Sequence, residues 1–198
     1  MKYILILSIV LLFSGCSIVK EPLTEYQINV KVAPTDINVN RCNDKSIKVL
    51  QSFSSVKLKT LNMNYIQGEN KVYTYSKSMW SDSPNSAVTS EVVKLLKDSN
   101  LFKNVQISRS RAKSDFILET NIENFIQYFS NELNSSYVVV AITFTIIDAK
   151  TNLVISSKSF KARKDSKTLD ADGGVEALNR ALNNILIQSS YWFKEVCR

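Results

Sequence analysis

Bulky and small side chains alternate without a break from Tyr137 to Ile147. Val138, Val140, Ile142, Phe144 and Ile146 fall on one face and Val139, Ala141, Thr143 and Thr145 on the other. That period of two predicts a β-strand, and the bulk of both faces predicts a central place in a sheet. Phe116, Leu118, Thr120 and Ile122 alternate with Glu119, Asn121 and Glu123 in the same way, giving a strand with one buried face. Asp148-Ala149-Lys150-Thr151-Asn152 has turn chemistry, so Leu153 to Arg163 is expected to return as an antiparallel partner. Upstream, Tyr26 to Val32, Ile47 to Val49 and Val56 to Leu58 have strand character. Tyr65-Ile66 and Val72 to Met79 flank Gln67-Gly68-Glu69-Asn70, a connection that predicts a hairpin.

The period changes to 3.6 twice. After Ser83-Pro84, Val88, Val92, Leu95 and Leu96 form one apolar stripe, predicting a helix from Pro84 to Asp98 capped by Ser83. Ser99-Asn100 ends it, Leu101-Phe102 packs back, and Val105 with Ile107 starts another strand. From Val175 onward, Leu178, Ala181, Leu182, Ile185, Leu186, Ser189 and Trp192-Phe193 recur at steps of three and four. This predicts a helix of about 19 residues across one sheet face, with Gly173-Gly174 just before it and Asp172 as its cap. An anion held by the free amides at that start is the other reading of the two glycines, and the Asp172 carboxylate opposes it. The fold class that follows is α+β: an antiparallel or mixed sheet with two helices packed on it.

The N-terminus has a different pattern. Lys2 precedes a run from Tyr3 to Phe13 that is apolar apart from Ser8, and Ser14-Gly15 stands directly before Cys16. Such a run falls short of the roughly 20 residues a membrane-spanning helix needs, and the small residues after it mark a processed secretory signal. Phe13-Ser14-Gly15-Cys16 resembles the bacterial lipobox, with Phe where Leu is usual; an ordinary signal peptide with an incidental cysteine is the alternative. The resemblance implies cleavage before Cys16 and acylation of its thiol and new amine, palmitate being among the chains. Two or three acyl chains hold a protein stably on a bilayer where one holds it marginally. Ser17, rather than Asp, resembles lipoproteins forwarded to the outer membrane. The chain thus divides into a signal over residues 1–15, a lipidated tether over 16–25 and a folded domain over 26–198. The extended tether is expected to span at most about 35 Å and to hold the domain clear of the headgroups.

Composition narrows the chemistry. Of 198 residues, 44% are hydrophobic, enough for a real core, but histidine is absent and glycine occurs only four times. A dinucleotide-binding turn and a phosphate-cradling loop cannot be drawn with these glycines. Histidine-based triads and histidine zinc sites are likewise excluded. No cofactor or metal is called for. A hydrolase would need a carboxylate pair such as Asp115 with Glu119 or Glu119 with Glu123, which an exposed strand face explains without catalysis. Twenty-five basic against 18 acidic residues leave a formal charge of +7. The surplus is scattered, as at Lys57 and Lys59, Lys158 and Lys161, and Arg109, Arg111 and Lys113. It either draws anionic headgroups or an acidic partner, or simply solvates the surface. Nucleic acid is not an expected partner, because no basic helix with interleaved aromatics occurs. Cys42 and Cys197 remain after Cys16 is lipidated, and in an oxidising compartment they either bridge or stay as two free thiols.

The motifs taken in order resemble a family. Tyr73-Thr74-Tyr75 to Trp80, Ser83-Pro84, Leu95-Leu96 and Ser99-Asn100-Leu101-Phe102 with Val105 come first. Ser114-Asp115-Phe116-Ile117-Leu118-Glu119, Ile147-Asp148-Ala149-Lys150-Thr151-Asn152 and Gly173-Gly174 through Ala177-Leu178-Asn179-Arg180-Ala181-Leu182 follow. This succession is similar to the ABC-type transport auxiliary lipoproteins, which include the paraquat-inducible auxiliary lipoproteins, over roughly residues 26 to 195. The resemblance implies a non-enzymatic lipoprotein facing the periplasm from the outer membrane, with a fold similar to the N-terminal domain of TolB. Its implied partners are an MCE-domain protein, an ABC permease and ATPase, phospholipid, and a second copy of the chain as a homo-oligomer. A structural or cell-wall-synthase-regulating lipoprotein is the alternative. Trp80, Tyr73 and Tyr75 are the expected exposed aromatic contacts, since rings supply large contact area at little entropy cost, although a core position suits Trp80 as well.

Overall fold

The structure, a computed structural model, describes residues 22–31 and 42–197. The signal segment, Cys16, most of the tether, Val32 and Pro34 lie outside the described residues. Among the described residues nine strands form one mixed sheet: β1 Thr24–Tyr26, β2 Ser46–Val49, β3 Phe53–Ser54, β4 Asn62–Gln67, β5 Lys71–Trp80, β6 Asn104–Ile107, β7 Phe116–Phe129, β8 Ser136–Asp148 and β9 Val154–Asp165. Two helices, α1 Pro84–Asp98 and α2 Ala171–Val196, pack on it.

β7 organises the sheet. One of its edges pairs antiparallel with β8 along its whole length. The other edge is shared in turn by β2, β3 and β4, all parallel to it. β8 lies between β7 and β9, and Val138, Val140, Ile142, Phe144 and Ile146 are buried as their alternation requires. A bulge between Ile122 and Asn124 shifts parity within β7. Leu118, Thr120 and Ile122 face the core before it, and Phe125, Gln127 and Phe129 after it.

α1 has the expected bounds, but the Ser83 hydroxyl makes no cap; Asp82 accepts the Ser83 amide instead. α2 runs 26 residues, longer than its apolar periodicity indicated, and takes Gly173 and Gly174 into its first turn. Its cap is Asp170, not Asp172: Asp170 accepts from the Gly173 amide at 2.9 Å, three residues on as capping geometry demands. A side chain at Gly173 would meet the Thr168 carbonyl at 2.3 Å, and one at Gly174 would meet Gln127 Oε1 at 2.0 Å. Close approach of helix to loop and sheet, rather than a pre-helical turn, accounts for the pair. At the other end α2 continues past Phe193 to Cys197, which is bonded to Cys42 with Cα atoms 5.4 Å apart.

Three expectations for the early chain change. The first strand is Thr24–Tyr26, pairing parallel with β5, so Thr24 and Glu25 belong to the sheet rather than the tether. Gln27 to Lys31 leaves the sheet and crosses α2: Asn179 holds the Asn29 amide at 3.1 Å, while Ile28 and Val30 are buried. Val56–Lys59 is a 3₁₀ turn, not a strand, with Val56 exposed.

Asn100, Leu133 and Asn152 have positive φ. Asparagine suits that region; a leucine there is strained by about 1–2 kcal/mol. Leu133 stands at φ 55° in the turn joining β7 to β8, with half its surface in water. Leu133→Asn is therefore expected to stabilise the domain by about 1 kcal/mol, read as a higher urea midpoint at unchanged slope. A lower midpoint would show that the leucine is held by contacts.

Candidate functional site

The domain presents two chemically distinct ends. At the tip of the β4–β5 hairpin, Tyr65 and Tyr73 are register partners, so their rings share a face and stack at 5.5 Å. Tyr75 lies 4.7 Å and Phe129 5.2 Å from Tyr65, which makes a four-ring cluster. Tyr73 is exposed. Tyr75 is half-buried and donates its hydroxyl to Gln127 Oε1 at 2.9 Å; burial first, then the Tyr65 phenol, pushes its pKa up. Trp80 is not among these surface rings. The register shift between Asn62 and Asn64 carries the far end of β5 beneath the helices, where Trp80 is buried and packs on Phe125 at 6.1 Å.

Gln127 is the polar hub under this cluster. Besides taking the Tyr75 hydroxyl, its amide donates to Ser136 Oγ at 3.0 Å and to the Asp170 carbonyl at 3.2 Å. It thereby ties the sheet to the start of α2. Tyr26 of β1 is tied there too: burial, then the neighbouring Asp172 carboxylate, pushes its phenol up. Gln127's role is not legible from periodicity, because the bulge that turns it inward is invisible in the alternation. A cleft of about 150 Å³ lies between Met63, Trp80, Phe125, Gly174 and Leu178. Drug-sized ligands take about 300 Å³ or more, so this space is too small to enclose a phospholipid.

At the opposite end of the sheet, Lys45, Lys48, Lys113 and Lys150 line an open basin of about 630 Å³ together with Asp115 and Asp148. Both carboxylates are already engaged. Asp115 accepts from the Ser46 amide and hydroxyl, each at 2.7 Å, and these bonds hold its pKa below the usual carboxylate range. Asp148 accepts from the Thr151 amide and hydroxyl and the Lys150 amide, with the same direction of shift. Those hydrogen bonds clamp Asp115 onto β2 and Asp148 onto the β8–β9 turn. Glu123, of the other carboxylate pair considered, accepts from Thr143, whose hydroxyl also bonds Ser159. The lysines come from three separated segments, which is why their grouping is not legible in the sequence.

The Asp115 clamp has a pH consequence. A carboxyl whose folded pKa is depressed contributes stability that is present above its unfolded value and lost as pH falls through the folded one. Asp115→Asn is expected to lower stability at neutral pH and to flatten the decline below about pH 4, in urea midpoints taken from pH 7 to pH 2. An unchanged acid limb would remove Asp115 from the account.

Among the described residues no helix is long and apolar enough to cross a membrane. No curated protein matches the chain. Among solved structures it is similar to the Xanthomonas campestris protein XCC0632 at 16% identity and TM-score 0.77, covering 87% of this chain and 96% of that one. A second structure, of an uncharacterised protein, is similar at 13% identity and TM-score 0.64, covering 87% of this chain and 99% of that one. At such identities the likeness shows the fold: a mixed sheet with two helices. The family model for the ABC-type transport auxiliary lipoprotein component matches residues 26–188. That stretch takes in the aromatic cluster, the basin, α1 and most of α2, and the chain accordingly belongs to the family of ABC-type transport auxiliary lipoprotein components.

Proposed function

We propose that this chain is a non-enzymatic, lipid-anchored component of an ABC-type system that moves lipids between membranes, facing the periplasm from the outer membrane. Cys16 is the anchor, and an MCE-domain protein with its permease and ATPase are the partners. The observation that carries the reading is the arrangement of the chain: the family match begins at residue 26, ten residues after a lipobox cysteine. Anchor and auxiliary domain are thus joined by a short tether. Occupation of Asp115 and Asp148 by backbone and hydroxyl donors supports a docking rather than a catalytic role. Ser17 supports the outer membrane.

Affinity isolation of the lipidated chain from its own envelope, in detergent and again in nanodiscs, tests the partnership. Enrichment of an MCE-domain protein with the permease and ATPase is expected. Enrichment of cell-wall synthases in their place, or of none of these, would contradict it.

A further inference from the structure

We infer that the hairpin end of the sheet, around Leu133, Leu169 and Tyr73, is a lipid-contact surface lying on the bilayer that holds the chain. The inference rests on the anchoring of Cys16 proposed above. Its first ground is the direction of β1. Thr24 pairs with Ser78 and Tyr26 with Trp80 in parallel. Pro22 and Leu23 therefore lead into β1 from the side of Lys77, the side on which the hairpin tip lies. The eight residues from Cys16 to Leu23 span at most about 28 Å. From Ser78 back to Lys71, β5 covers at most about 23 Å at the rise of a strand, and the turn at Gly68 lies beyond Lys71. A fully extended tether along this path brings Cys16 only level with the tip, and any contraction presses the tip into the headgroups. The clearance expected of the tether is lost because β1 takes up Thr24 and Glu25 and starts most of a strand length behind the tip.

The second ground is what the tip displays. Leu133 and Leu169 are 48% and 49% exposed, and Val72 and Tyr73 42% each. They sit on three separate segments that hydrogen bonds gather at one end. The Gly68 amide donates to the Phe129 carbonyl, Gln67 Nε2 to the Asn131 carbonyl and the Ser166 amide to the Ser136 carbonyl, each at 3.0 Å. Tyrosine, with an apolar body and a polar tip, favours the headgroup boundary. Leu133 stands at positive φ, where asparagine or glycine is easier, so an apolar side chain is displayed in water at a conformational cost. Exposure alone does not choose the end, since Leu153 at the far end is 68% exposed. The tether does, because the parallel pairing of β1 with β5 sets which end it leads from.

Single cysteines placed at Leu133, Leu169 and Leu153 test this in the full, acylated chain. With Cys16 acylated and Cys42 bonded to Cys197, each introduced thiol is the one available to a fluorophore. The labelled proteins are placed in phosphatidylethanolamine–phosphatidylglycerol nanodiscs containing headgroup-nitroxide lipid, and quenching is compared. L133C and L169C are expected to be quenched several-fold more than L153C. Equal quenching at all three, or the reverse order, overturns the surface. Intact mass of the same samples separates the two readings: acylated chains with equal quenching overturn the surface and leave the anchor, whereas unacylated chains overturn both.

Discussion

Serine at both Cys42 and Cys197 is expected to cost the domain about 4–5 kcal/mol, because the bond closes a loop of 155 residues and removes that much chain entropy from the unfolded state. Domains of this size are stable by only about 5–15 kcal/mol in total, so about a quarter or more of the margin is at stake. The native side adds to the effect. Both sulfurs are buried, and the bond joins the last turn of α2 to the segment leading into β2, next to the Lys45 amide held by the Cys42 carbonyl. Thermal melts of the oxidised wild type and the double variant read it directly: a fall of about 10 °C or more is expected at roughly 2–4 °C per kcal/mol. A shift under about 2 °C would show that the ends of the chain are held by packing alone.

The second large effect is expected in the core. Phe144, at the middle of β8, is fully buried and faces Phe193 at 5.7 Å, Phe160 at 6.0 Å and Trp192 at 6.5 Å. Phe144→Ala removes a ring from this cluster and leaves a cavity between the sheet and the last two turns of α2. Such truncations cost about 3–5 kcal/mol. Leu153→Ala, in the exposed β8–β9 turn, is the contrast and is expected to change stability by less than about 0.5 kcal/mol. Urea unfolding of the two variants distinguishes core from surface. A cost below about 1 kcal/mol for Phe144→Ala would mean that α2 is not clamped to β8 as described.

These examples also show where the fold was legible. β8 and the β4–β5 hairpin follow from alternation and turn chemistry, which act locally. α1 follows from Pro84 and a four-residue stripe, and its bounds agree even though Ser83 is not the cap that was expected. What escaped the sequence is what distant segments do to one another. The bulge at Ile122 and Asn124 inverts the second half of β7, so Gln127 is turned toward the core and the strand runs on to Phe129. Gly173 and Gly174 look like helix breakers, yet they admit the Thr168 carbonyl and the Gln127 side chain against the first turn of α2. Trp80 lies in the interior because β5 shifts register on β4, which leaves Tyr73 as the exposed ring and Tyr75 as half of one. The parallel pairing of β1 is set by β5 rather than by its own three residues.

The site was legible unevenly for the same reason. A lipobox is a local word and needs no fold. The ordered motifs that resemble the auxiliary lipoproteins were visible because each is also local, and the family match over residues 26–188 covers nearly the stretch they occupy. The lysine basin and the aromatic tip are assembled by the sheet, so nothing in the spacing of Lys45, Lys48, Lys113 and Lys150, or of Leu133 and Leu169, announces them.

Everything proposed for this chain turns on whether Cys16 carries acyl chains. Intact-mass spectrometry of the protein extracted from its native envelope decides that in one measurement. The account predicts a mature species beginning at Cys16 whose mass exceeds that of residues 16–198 by a diacylglycerol and an amide-linked acyl chain. A water-soluble species with an unmodified Cys16 thiol would contradict it.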